Sequence, residues 1–141
     1  MTIARIIRSE SQIISCKAQT PVREAIALLA EKRIGALPVV DDNVVIGIFS
    51  ERDVIYQLQS HGPSFLDKTV GDVMTSPVIS IAPDTSILEA LGMMTQRRFR
   101  HLPVVEQGKI IAFVSIGDLV KHRIDHISSE AEALRSYIQM A

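Results

Sequence analysis

The chain has 141 residues, 47% of them hydrophobic, which suffices for one compact body around a sizeable core. A formal charge of −1 and a pI near 6.4 exclude the electrostatic footprint of a nucleic-acid or anionic-membrane binder. The single cysteine, Cys16, excludes an internal disulfide and predicts a reducing, cytoplasmic setting. No apolar run approaches the roughly 18 residues that span a bilayer, and Met1 to Arg8 lacks a secretory apolar core.

In chain order, a strand around Ile14 leads to Thr20-Pro21, which predicts a helix start with Thr20 as N-cap and Pro21 at the first helical position. Val22, Ile26 and Leu29 then recur at helical spacing. Leu37 to Val40 and Val44 to Phe49 are β-branched runs around the polar turn Asp41-Asp42-Asn43 and read as strands covered on both faces. Pro38 fits only near a strand start or edge. Gly47 to Asp53 runs a strand directly into a helix, and Ser60 to Ser64 reads as a linker.

The pattern then repeats. A shift of 65 positions lays Ile14–Ile55 on Ile79–Val120 without a gap, with 13 identities in 42 positions. Ile14 meets Ile79, Arg33 meets Arg98, Leu37-Pro38-Val39-Val40 meets Leu102-Pro103-Val104-Val105, and Ser50 and Asp53 meet Ser115 and Asp118. Each copy reads as strand, helix, strand, strand, helix. Two units of this size are expected to pack as a pseudo-symmetric α/β body with a cleft between them. From Gly117 to Met140 a long helix follows. Its apolar residues Val120, Ile124, Ile127, Ala131, Leu134 and Ile138 alternate in steps of four and three, which suits either packing on its own lobe or a dimer seam.

Two features could carry chemistry. Ser and Asp three apart at each strand-to-helix junction form a capping box, and the same geometry suits an anion at a helix N-terminus or a carboxylate gripping ribose hydroxyls. Arg97-Arg98-Phe99-Arg100-His101 concentrates positive charge before the second Leu-Pro-Val-Val. That cluster reads either as a solvated helix end relieving the helix dipole or as a phosphate clamp. His122 and His126, four apart, lack a third ligand at convincing spacing and read as exposed structural histidines. Cys16 reads as inert and buried, Met93-Met94 as core filling, and Arg52 as either a solvated first-turn residue or a phosphate donor.

The paired Leu-Pro-Val-Val motifs, each followed by Gly-Ile-Phe-Ser-Glu-Arg-Asp or Ala-Phe-Val-Ser-Ile-Gly-Asp, resemble a tandem pair of CBS (cystathionine β-synthase) domains, a Bateman module. The similarity covers about residues 9 to 122 and extends to small stand-alone bacterial CBS-pair proteins with a short opening helix and a long closing one. It implies one domain over 9–62, a second over 72–125 and a helical extension over 126–141. It also implies a homodimer and a non-catalytic regulatory role toward adenosyl ligands such as AMP, ATP, S-adenosylmethionine or NAD(H), with no nucleic acid or membrane partner.

Carried over by position, the resemblance gives Asp53 and Asp118 the ribose hydroxyls, with Ser50 and Ser115 beside the ribose and α-phosphate. Ile14 and Ile79 would hold adenine, aided by Ser9 or Met74. The pair before Leu-Pro is Gly35-Ala36 in one copy and Arg100-His101 in the other, and Arg98 belongs to the same basic turn. The expected arrangement groups Asp118 with Arg100 and His101 as the phosphate-accepting cleft and leaves the Asp53 cleft weaker. Ala112, where the first copy has Gly47, is expected to narrow the second cleft. The alternatives are a ligand-free dimerisation scaffold or an enzyme acting on an adenosyl compound. Against the enzyme, the sequence has no glycine-lysine phosphate loop, nucleophile with an evident base, or metal constellation.

Overall fold

The computed structural model describes residues 1–7 and 12–140. Helix α1 (Val22–Lys32), strands β1 (Ala36–Asp41) and β2 (Val44–Ser50) and helix α2 (Glu51–His61) make the first half. A short helix α3 (Val70–Val73) follows, and α4 (Ile87–Arg97), β3 (His101–Glu106), β4 (Lys109–Ser115) and α5 (Ile116–Met140) make the second. Each half holds one antiparallel hairpin with a register shift at the same place, after Val39 and after Val104. The hairpins touch through their turns, where Ile110 N–H donates to Asn43 O at 2.9 Å and Lys109 Nζ to Asp42 O at 2.9 Å.

The expected first strand of each copy is a single parallel bridge. Cys16 N–H donates to Pro38 O and Val40 N–H to Cys16 O; Ile81 does the same between Pro103 and Val105. The strand cannot lengthen because the chain turns at once: Lys17 N–H donates to Thr20 Oγ1 at 3.0 Å, and Ala82 N–H to Thr85 Oγ1 at 3.1 Å. Thr20 and Thr85 therefore close turns rather than cap helices. The N-caps fall one residue later, at Pro21 and Ser86, and Ser86 Oγ accepts from Glu89 N–H at 3.0 Å.

Each half has its own apolar cluster. Val22, Leu37, Val39, Phe49, Phe65 and Val70 build the first; Ile3, Ile87, Met94, Leu102, Val104 and Leu119 build the second. Phe65 pins the linker, a 3₁₀ turn over Gly62–Asp67, into the first core. The N-terminal segment belongs to the second half. Ile3 N–H bonds to Thr85 O and Ala4 N–H to Pro83 O, as Val70 N–H bonds to Thr20 O and Gly71 N–H to Ala18 O in the first half. Each half is thus completed by the segment that precedes the other repeat in sequence, so the two are interlaced. No helix among the described residues is long and apolar enough to cross a membrane.

Candidate functional site

Both strand-to-helix junctions fold as capping boxes. Ser50 N–H donates to Asp53 Oδ2 at 2.9 Å, and Asp53 N–H returns to Ser50 Oγ at 3.3 Å. At the start of α5, Ser115 N–H donates to Asp118 Oδ2 at 2.9 Å, and Asp118 N–H to Ser115 Oγ at 3.1 Å. The cap engages one oxygen of each carboxylate and fixes its rotamer. The other oxygen differs between copies: Asp53 Oδ1 accepts from Thr75 Oγ1 at 3.0 Å, while Asp118 Oδ1 accepts nothing among the described residues. Each carboxylate oxygen has two lone-pair sites, so capping leaves both aspartates able to accept from a ligand hydroxyl.

Each aspartate lines its own cleft. The Asp53 cleft, about 440 Å³, is walled by Ala36, Ser50, Ile79, Arg98, Arg100 and His101. The Asp118 cleft, about 460 Å³, is walled by Ile14, Ala36, His101 and Ser115. Both volumes fall in the range of roughly 300–1,000 Å³ that suits a small-molecule ligand. Ala36 and His101 occupy equivalent repeat positions and line both clefts, so the two share a wall.

The expected grouping of Arg100 with Asp118 is corrected by this arrangement. The turn from Arg97 to His101 lies across the Asp53 cleft, because packing around the pseudo-two-fold brings the second copy's turn onto the first copy's α2. Arg52 Nη1 donates to Arg98 O at 2.7 Å, and Arg100 Nη2 pairs with Glu51 Oε1 at 3.1 Å. Arg52 is thereby a brace for the turn. Arg98, like its counterpart Arg33, takes the left-handed conformation that ends its helix. The matching wall of the Asp118 cleft carries Ile34 and Ala36 and no cation from that turn.

His101 is partly buried and stacks on Phe113, with centroids 5.5 Å apart and planes inclined by 15°. Burial, reinforced by the neighbouring Arg100, pulls its pKa below the ordinary 6.5 against the opposing pull of Asp118 and Glu51. Both effects favour the neutral ring, which offers a flat face and a hydrogen-bonding edge more than a phosphate-neutralising charge. Burial pushes the Cys16 thiol up to about 11, and its sulfur faces Pro38 O at 4.0 Å. A thiol so disposed is a poor nucleophile.

Several lining residues were not singled out by sequence. Tyr56 lies one turn beyond Asp53 and Lys121 one turn beyond Asp118; the three-residue spacing along a helix face was the available signal. His122, expected as an exposed structural histidine, is half-buried and lines the Asp118 cleft one turn beyond Asp118. Thr75, Pro77, Val78 and Phe99 reach the Asp53 cleft, and Ile6, Ile7, Ile13 and Phe113 the Asp118 cleft, through tertiary packing that no local pattern encodes. Met74 is not among the lining residues: its side chain covers Gly47, where an added Cβ would fall 2.4 Å from its sulfur. Ala112 does line the Asp118 cleft. Ser9 lies outside the described residues. His126 Nε2 pairs with Glu130 Oε1 at 3.0 Å, and no group of three or more potential metal ligands occurs among the described residues.

Interlaced α-β halves with paired clefts of ligand size, each bounded by a capped aspartate, define a tandem-repeat α/β architecture. The chain belongs to the CBS domain family: the family model matches twice, over residues 3–60 and 70–125. It is 32% identical over 148 residues to the CBS domain-containing protein CBSX3, mitochondrial, of Arabidopsis thaliana, covering 98% of this chain and 72% of that protein. The structure of a putative signal-transduction protein with CBS domains from Burkholderia ambifaria is 39% identical, with a TM-score of 0.81 over 89% of this chain and 95% of that one. CBSX2, solved in complex with AMP, is 30% identical with a TM-score of 0.76 over 88% and 96% of the two chains.

Proposed function

We propose that the chain is a non-catalytic regulatory module that binds an adenosyl ligand in each cleft. Asp53 and Asp118 accept the ribose hydroxyls, Ser50 and Ser115 flank the ribose and α-phosphate, and Ile79 and Ile14 wall the adenine. The observation that carries this reading is the pair of capped aspartates, each held by its own helix start and each lining a ligand-sized cleft. A relative bound to AMP supports the ligand class. Ligand bridging the interlaced halves favours one relative arrangement by its differential affinity and passes that bias to a second copy or a regulated protein. The lone buried Cys16 suits a reducing compartment such as the cytoplasm.

The clefts take different ligands. The Asp53 cleft, with Arg97, Arg98 and Arg100 on its wall, takes the phosphorylated adenosine: AMP, ATP or NAD(H). The Asp118 cleft, walled by Ile6, Ile7, Ile13 and Ile14 with Lys121 also lining it, takes an adenosyl ligand of lower negative charge than the Asp53 cleft does. Thermal shift against AMP, ATP, NAD(H) and S-adenosylmethionine tests the class, because a ligand at a hundredfold excess over its Kd stabilises by about 2.7 kcal/mol. Calorimetry on Asp53→Ala and Asp118→Ala tests the assignment: AMP affinity falls mainly in the first. No response to any of the four ligands overturns the proposal, and turnover of one overturns its non-catalytic part.

A further inference from the structure

We infer that the C-terminal half of α5 pairs with the same helix of a second copy as a parallel coiled coil. This rests on the helix and not on the nucleotide clefts. Every residue from Ile127 to Met140 is exposed, and the seam residues Ile124, Ile127, Leu134 and Ile138 are 57%, 48%, 60% and 63% exposed. The helix does not fold back on its own body over this stretch. An isolated helix of such length is marginal in water, and a continuous apolar stripe along it marks a missing partner.

The flanking charges identify the occupant and its direction. With Ile124, Ala131 and Ile138 at one seam position and Val120, Ile127 and Leu134 at the other, the edge residues are Lys121, Ser128 and Arg135 on one side and Arg123, Glu130 and Tyr137 on the other. In a parallel pair, Glu130 faces Arg135 of the second copy, five residues on, and symmetry makes the contact twice. In an antiparallel pair over the same seam, Lys121 faces Arg135 and Glu130 faces Glu130, both like-charged, while Arg123 meets Tyr137 and Ser128 meets its own copy, so no opposite charges pair. A self-complementary seam that penalises the reverse direction fits a second copy of this chain. Within one chain Glu130 pairs with the nearby His126; the dimer gives it a permanently charged partner.

Sedimentation equilibrium of the full chain over a concentration series, with charge-reversed and seam variants, tests the inference. The wild type is expected to dimerise, and Leu134→Asp with Ile127→Asp, both at exposed positions that leave the cores untouched, to be monomeric with unchanged circular dichroism of the body. Glu130→Arg is expected to weaken the dimer about tenfold, and the double variant E130R/R135E to restore it. Ile138→Cys, in a chain whose own Cys16 is buried, is expected to form an intermolecular disulfide under mild oxidation. A monomeric wild type, or a dimer indifferent to the seam variants, overturns the inference. Seam-dependent dimers without charge-swap rescue or the Ile138→Cys cross-link overturn the parallel direction.

Discussion

Thr75 donates its hydroxyl to Oδ1 of Asp53 at 3.0 Å, joining the segment between the two repeats to the acidic residue of the first cleft. Thr75 is held in turn by Ile48, with Thr75 N–H to Ile48 O at 2.8 Å and Ile48 N–H to Thr75 O at 3.0 Å. With Oδ2 fixed by Ser50, the carboxylate is restrained at both oxygens before any ligand arrives, which lowers the ordering cost of binding.

Thr75→Val removes this hydroxyl while keeping the shape of the side chain. A neutral-to-charged hydrogen bond contributes about 1.5–3 kcal/mol at most and less where solvent competes, so AMP affinity is expected to fall about three- to tenfold. Calorimetry on the variant checks this, with Asp118→Ala as background to isolate the first cleft. Unchanged affinity would show that Thr75 is a bystander.

The Thr75–Asp53 contact also marks where sequence reading stops. The repeat, the hairpins, the helices and both capping boxes were legible, because each is written in spacings of two to four residues or in the 65-residue offset itself. The partner of each aspartate was not. The basic turn at Arg97 to His101 belongs to the second copy in sequence and to the Asp53 cleft in space, since pseudo-two-fold packing exchanges the walls. The same exchange puts Ile3 in the second core. Local periodicity carries no information about an exchange between halves, and Thr75 stands in no pattern at all.

His101 gives stability a pH dependence. Its folded pKa lies below the unfolded value of about 6.5, owing first to burial and then to Arg100. The unfolded chain therefore binds the proton more readily. The contribution is full above pH 6.5 and is lost as pH falls through the folded pKa. His101→Phe keeps the stack on Phe113 and removes the titration, so its denaturant midpoint is expected to lose that part of the slope below pH 6.5. Parallel urea titrations of the two proteins from pH 7.5 to roughly pH 5, the acid side of the histidine range, measure the difference; identical slopes would contradict it.

Gly47 and Ala112 are equivalent in the repeats but not in their surroundings. A Cβ on Gly47 falls 2.4 Å from Met74 Sδ and 2.8 Å from its Cγ. Met74 would have to move, and it adjoins Thr75. Gly47→Ala is therefore expected to destabilise by about 1–3 kcal/mol, the usual cost of overpacking, and to weaken AMP binding by shifting Thr75. Adding Met74→Ala should recover part of the loss, because the two residues are in contact and their effects are non-additive. Purely additive melting temperatures would rule out the steric account.

The N-terminal segment lies outside the repeats, yet Ile3 is fully buried among Ile87, Leu102 and Leu119. Its backbone is tied to Thr85 O at 2.9 Å, with Ala4 tied to Pro83 O at 2.9 Å. Ile3→Ala leaves those backbone bonds and empties part of the second core. The low end of the range for such truncations, about 2 kcal/mol, is equivalent to roughly 4–8 °C in Tm for a chain of this size. Because α5 packs on the same core through Leu119 and carries Asp118 in its capped first turn, the loss should also loosen the Asp118 cleft more than the Asp53 cleft. Differential scanning calorimetry measures the first effect and hydrogen exchange at the start of α5 the second. A Tm equal to that of the wild type would mean that the interlacing of the halves contributes nothing to holding them together.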